Sequence, residues 1–300
     1  MRWPRTQVPD PISSPRMGPA GRHIIVVFAP KGGVGKTTVA AGIAQQLAAT
    51  RGETVAVIDA NLHRGTLRQR TVPGEVPPPL SFVELCRQAP VLRPEWPMLV
   101  PFHDLVGRLR VFGNDAADPA AVEALDGPAF AAGVDLVARA AQVVVLDMGT
   151  SATGPVIRAA LEMAGTVVAV ADRSADSLEL LIEWVSALAG SPQSFSPAAE
   201  AVAGFASVAD GRYADLVPGL VIALNPSRTR SDVLPRDQRR YLEWLNQACG
   251  HVVSVPRDPQ VARGDVIDWD TVSASTLRAF RDLAGCCASR FPLPPRERVS

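Results

Sequence analysis

The chain predicts an α/β fold, a doubly wound and mostly parallel sheet flanked by helices. Short apolar runs alternate with helix-like segments along most of its length. Most of those runs are continuous and β-branched rather than alternating, which marks strands buried on both faces. At 300 residues, with 47% hydrophobic and 20% charged side chains, the chain suits one large domain with a substantial core. Only 5% of residues are aromatic, so that core must rest on Val, Leu, Ile and Ala.

Residues 1–22 are rich in Pro, Arg, Ser and Gly, show no periodicity, and read as a disordered lead-in. One domain is expected over 23–291. Its strand runs are 24–28 (IIVVF), 54–58 (TVAVI), 109–112 (LRVF), 143–146 (VVVL), 166–171 (TVVAVA), 220–224 (LVIAL) and 252–255 (VVSV). Helices are expected over 36–51, 81–88, 119–139, 155–163, 174–188, 233–249 and 275–290. Strand–helix alternation implies right-handed crossovers. Two segments interrupt it: a Pro-rich loop at 71–80 (TVPGEVPPPL), and a small, polar, Pro/Gly-punctuated insertion at about 190–218. The end, 292–300, reads as a disordered tail.

Several classes of function are disfavoured by composition. No stretch approaches the roughly 20 apolar residues of a membrane helix, and the N-terminus lacks the apolar region of a secretory signal. Net charge is zero, which argues against a strongly basic nucleic-acid binder while leaving room for a local basic patch. Cys86, Cys249, Cys286 and Cys287 form no CxxC pair and no metal-ligand spacing, and a reducing cytoplasm is the expected compartment.

One asymmetry points to a site. Of 30 basic residues only two are lysine, Lys31 and Lys36, and they lie within six positions of each other. They fall in Ala29-Pro30-Lys31-Gly32-Gly33-Val34-Gly35-Lys36-Thr37-Thr38, after a buried strand and at the start of a helix. That is the setting of a phosphate-binding loop. Gly32, Gly33 and Gly35 let backbone N–H groups turn inward, and the helix N-terminus adds partial positive charge. Lys36 can reach β- and γ-phosphate oxygens, the Thr37 hydroxyl can ligate Mg²⁺, and Thr38 can bond the α-phosphate. The first glycine of the general pattern is replaced by Pro30.

Lys31-Gly32-Gly33-Val34-Gly35-Lys36-Thr37-Thr38 resembles the deviant Walker A loop of the ParA/MinD group of ATPases, closest to the MinD, CpaE and FlhG positioning types. The resemblance implies a P-loop NTPase fold of the SIMIBI type, ATP and Mg²⁺ as cofactors, and a homodimer with ATP sandwiched between copies. Lys31 is then the lysine that reaches the partner's phosphates, and Lys36 the one acting in cis. The run 55–61 (VAVIDAN) is similar to the family's second strand and switch, and 143–147 (VVVLD) to its Walker B strand, so that Asp59 and Asp147 serve the metal with Thr37. The run 220–225 (LVIALN) resembles the strand whose terminal Asn reads adenine, which assigns Asn225. Residues 255–261 (VPRDPQV) resemble the loop over the base, which assigns Pro256.

Where the family has a second switch acid, this chain has Asn61. An amide can orient a water but cannot take its proton. Two outcomes stay open: a slow ATPase, or a scaffold that binds ATP without hydrolysing it. His63 and Asp59 are nearby but not at the matching place. A partition ATPase is a further alternative, because Arg228, Arg230, Arg236, Arg239 and Arg240 form a cluster that could track DNA phosphates. Interspersed acids make a solvated helix face the commoner reading. The last helix has Leu277, Phe280, Leu283, Ala284 and Cys287 on one face, which is expected to cover the sheet rather than bind membrane. The role implied is spatial positioning or assembly of a cellular machine such as a pilus, secretion, division or plasmid-cargo apparatus, with a partner protein or activator.

Overall fold

The computed structural model describes residues 8–14, 16–17, 21–62, 65–115, 117–149, 154–190, 208, 210–226 and 236–292, with Arg236 and Asp237 described by backbone alone. Among the described residues, eight strands form one sheet in the order β3-β4-β2-β5-β1-β6-β7-β8. They are β1 (His23–Phe28), β2 (Val55–Ala60), β3 (Asp104–Val106), β4 (Leu109–Phe112), β5 (Val143–Met148), β6 (Thr166–Asp172), β7 (Val221–Asn225) and β8 (His251–Ser254). All neighbours are parallel except β3, which pairs antiparallel with β4. The helices are α1 (Lys36–Thr50), α2 (Leu67–Thr71), α3 (Phe82–Gln88), α4 (Trp96–Leu99), α5 (Pro119–Glu123), α6 (Gly127–Ala140), α7 (Pro155–Met163), α8 (Ala175–Leu188), α9 (Arg236–Ala248), α10 (Pro259–Ala262) and α11 (Ala274–Ala288).

The fold is thus the doubly wound, mostly parallel sheet that the continuous apolar runs predict. Alternate residues of each strand feed separate cores on the two faces. On β1, Ile25 and Val27 join the core under α1 and α11, while Val26 and Phe28 join the core under α3, α6, α7, α8 and α9. The last helix covers the sheet as expected, with Phe280, Leu283, Ala284 and Cys287 all buried. α1 and α11 approach closely because Gly42 has no side chain: a Cβ there would overlap the Phe280 ring.

Two expectations are corrected, and one strand was not foreseen. The helix expected over 119–139 is two helices, α5 and α6. Pro128 has no N–H and its ring clashes with a preceding helical turn, so it sits in the first turn of α6 and a helix cannot run through it from α5. Asp126 caps the new start by accepting from Ala129 N. The strand β3 was not legible as an apolar run because it has three residues; Gly107, at φ 59°, turns it back onto β4. Part of the lead-in is packed rather than disordered. Met17 is buried and its N–H donates to Glu53 Oε1 at 3.1 Å. Arg51 Nη1 donates to the carbonyls of Pro11 and Ser14 at 2.6 and 3.1 Å. In the 190–218 insertion, residues 191–207 lie outside the described residues, and Ala214–Gly219 form a 3-10 turn. Residues 1–7 and 293–300 also lie outside them.

Candidate functional site

In a doubly wound sheet, ligands collect at the carboxyl ends of the strands where the strand order reverses. Here that place is beside β1, which is flanked by β5 on one side and β6 on the other. The loop carrying both lysines leaves β1 there. Gly33 and Gly35 have φ of 76° and 90°, a left-handed backbone that suits glycine, and they turn the chain into α1. Gly35 is the N-cap, and neither a capping side chain nor an acid occupies the first turn of α1. The helix therefore presents unneutralised N–H groups at the loop.

Two carboxylates close the site. Asp59 and Asp147 are register partners on β2 and β5, and both are buried. Lys36 Nζ donates to Asp147 Oδ1 at 2.6 Å, and Asp147 Oδ2 is buried with no hydrogen-bond partner among the described residues. Asp59 accepts from Asn61 N at 3.1 Å and from Leu67 N at 3.0 Å. Burial raises the Asp59 carboxyl to about 7, the neighbouring Asp147 charge adds to the rise, and the two backbone bonds and Lys36 oppose it.

Lys31 and Lys36 point to different partners. Lys31 Nζ reaches across to the start of α8, where it donates to Asp176 Oδ2 at 2.5 Å and Ser174 Oγ at 3.2 Å. Lys31 in turn holds the Asp176 carboxyl below its ordinary range. Asn225, at the end of β7, lies against the loop: its Nδ2 donates to Val34 O at 2.5 Å. A Cβ on Gly35 would come within 2.6 Å of that nitrogen, so the close approach needs glycine. Gly32 and Gly33 are exposed, Thr37 is half-buried, and Thr38 is buried on α1. Asn61 follows β2, near Gly149 at the end of β5. Pro256 leaves β8 at the same sheet edge as Asn225.

The structure thus brings together Lys36, Asp59, Asp147, Asn61, the glycine loop and Asn225. Three supporting residues were not found by sequence reasoning. Asn114 Nδ2 donates to Asp59 O at 2.6 Å and its Oδ1 accepts from Val83 N at 3.2 Å, bracing the switch strand against α3. Gly65 leaves room for the Asp59 carboxylate, which a Cβ there would overlap. Asp176 is the third; an acid in the first turn of a helix reads in sequence only as dipole compensation. Of the arginine cluster, Arg239 and Arg240 are exposed on α9. Arg228, Arg230 and the Arg236 side chain lie outside the described residues, as does His63. Among the described residues, no helix is long and apolar enough to cross a membrane.

Comparison with known proteins follows the same lines. The chain superposes on a ParA family ATPase from Chlorobium tepidum with a TM-score of 0.64 at 14% identity, covering 88% of this chain and 98% of that one. The cell division ATPase MinD of Pyrococcus furiosus gives 0.60 at 18% identity over 88% and 97%. The septum site-determining protein MinD of Pyrococcus horikoshii, complexed with Mg-ADP, gives 0.56 at 17% over 88% and 94%. At these identities the likeness is one of fold. No curated protein sequence matches the chain. Residues 25–266 match the family model described as the CobQ/CobB/MinD/ParA nucleotide binding domain, and the chain belongs to that family.

Proposed function

We propose that the chain is an ATP-binding, ATP-dependent dimerising switch of the ParA/MinD type, a slow ATPase that positions or assembles a cellular machine in the cytoplasm. The observation that carries this reading is the buried contact of Lys36 with Asp147 at the mouth of the glycine loop. A lysine so placed exchanges one anion for another when a triphosphate enters, and the Asp147 carboxylate is then left for a metal. Its Oδ2, buried without a partner among the described residues, fits a metal-bound water, and Asp59 and Thr37 complete an oxygen-rich donor set suited to Mg²⁺. When bound, Mg²⁺ neutralises phosphate charge during phosphoryl transfer.

The residues divide the work. Gly32, Gly33, Val34 and Gly35 offer backbone N–H groups to phosphates; Lys36 holds the β- and γ-phosphates; Thr38 bonds the α-phosphate. Asn225, already against the loop, reads the adenine edge with one donor and one acceptor, and Pro256 borders the base. Lys31 leaves Asp176 and reaches the phosphates of a second copy. Asn61 orients the attacking water without accepting its proton, which slows turnover.

Asn61 also favours a second reading, a scaffold that binds ATP and dimerises without hydrolysis. Phosphate release and size-exclusion with ATP and Mg²⁺ separate the readings. The switch predicts slow release abolished in Lys36→Ala, and an ATP-dependent dimer lost in Lys31→Ala. A dimer without any phosphate release supports the scaffold. Turnover by a nucleotide-loaded monomer contradicts both.

A further inference from the structure

The two lysines of the glycine loop differ in how firmly they are held. Lys36 and Asp147 form a closed pair, with side chains 8% and 0% exposed. The Lys31–Asp176 pair lies at the surface, with side chains 30% and 65% exposed. Water can solvate both of its charges as it opens, so this is the pair that can exchange partners.

The receiving end suits an ammonium group. Lys31 Nζ donates to Asp176 Oδ2 at 2.5 Å and to Ser174 Oγ at 3.2 Å. Ser174 Oγ gives its single proton to Asp172 Oδ1, so it meets Lys31 as an acceptor only. The sheet places Asp172 in turn: it ends β6 in register with Asn225, and its N–H donates to Ser177 Oγ at 3.1 Å. Its Oδ1 also accepts from Ser174 N at 3.0 Å, which fixes the Ser174 backbone. Asp176 lies in the first turn of α8, where helix N–H groups favour its charge with or without the lysine. Opening the pair therefore leaves no buried charge behind.

We propose that Asp176 and Ser174 latch Lys31 within the single chain, an autoinhibitory contact that raises the chain concentration at which ATP brings two copies together. The inference rests on the ATP-dependent dimer proposed above. In that dimer Lys31 serves the phosphates of the second copy, and to reach them it must leave Asp176. A chain with Lys31 latched is not competent, and apparent affinity falls with the competent fraction. Both copies open in each dimer, so the effect of one latch enters squared. An exposed ion pair is worth a factor of up to about five, so two latches raise the required concentration by up to ~25-fold.

The test compares the full parent chain with Asp176→Asn. Because the chain has only two lysines, ¹⁵N-labelling of lysine alone gives two ammonium signals, told apart by Lys31→Arg. In the nucleotide-free chain, Asp176→Asn should move the Lys31 signal and leave that of Lys36 in place, which also verifies the fold. With ATP and Mg²⁺, sedimentation equilibrium should find the variant dimerising at a chain concentration at least about threefold below the parent's. A Lys31 signal that does not move overturns the latch, and so does a dimer constant equal to the parent's. A parent that stays monomeric with ATP and Mg²⁺ contradicts the dimer itself and takes the inference with it, whereas the other two outcomes overturn the latch alone.

Discussion

Asp59 is a buried carboxyl next to a second buried carboxyl, and its raised proton affinity, about 7, has two measurable consequences. The folded chain keeps a proton that the unfolded chain, near 3.8, gives up earlier. The contribution of Asp59 to stability is therefore present in full below pH 3.8 and lost as pH rises through about 7. A divalent cation favours the charged carboxylate and expels the proton. Calorimetry of Mg²⁺-nucleotide binding in buffers of different ionisation enthalpy should find about half a proton released at pH 7 and close to none by ~pH 8.5. Heats that are the same in every buffer at pH 7 would contradict this. The residue scale was also where the sequence was most legible. Lys36, Asp59 and Asp147 were found because a strand end and a glycine turn fix their places locally. Asn114 and Gly65 were not, because each acts on Asp59 through a contact made only after the chain has folded.

At the level of elements, the packing of α1 on α11 depends on Gly42. A Cβ there overlaps the buried Phe280 ring, which also stacks edge-on against Trp269 with centroids 5.1 Å apart. Gly42→Ala gains up to about 1 kcal/mol in helix propensity but overpacks this contact, which costs typically 1–3 kcal/mol. We expect a net loss of about 1 kcal/mol and a melting temperature lower by a few degrees, partly restored by Phe280→Leu in the same chain. A variant as stable as the parent would show that the helices yield without cost. Long buried strands and periodic helices were visible in the sequence because burial on two faces imposes a pattern. The short strand β3 was not, because it is set by pairing with β4; the break between α5 and α6 was missed although Asp126 and Pro128 signal it locally, because apolar periodicity continues on both sides.

For the whole molecule, the segment 11–17 and Phe291, distant in sequence, meet around one buried ion pair. Arg51 and Glu53 are almost fully buried, 2.6 Å apart, and Arg51 also lies over the Phe291 ring, 5.1 Å from its centroid. The N-terminal strap at Pro11, Ser14 and Met17 bonds to the same two side chains. Removing one member leaves the other charged and buried, which costs about 3–5 kcal/mol. Chemical denaturation should find Glu53→Ala strongly destabilised, and Arg51→Met with Glu53→Leu less destabilised than the two single changes summed; additive losses would show that the pair is not coupled. Sequence reasoning treated the strap as disordered because composition alone carries no trace of such a distant anchor. The central claim remains that the glycine loop, Lys36 and the two strand-end carboxylates bind a nucleoside triphosphate with Mg²⁺. Isothermal calorimetry with ATP and Mg²⁺ tests it most directly: the account predicts saturable heat from the parent chain and none from Lys36→Ala, whereas a silent parent, or equal binding by the variant, would contradict it.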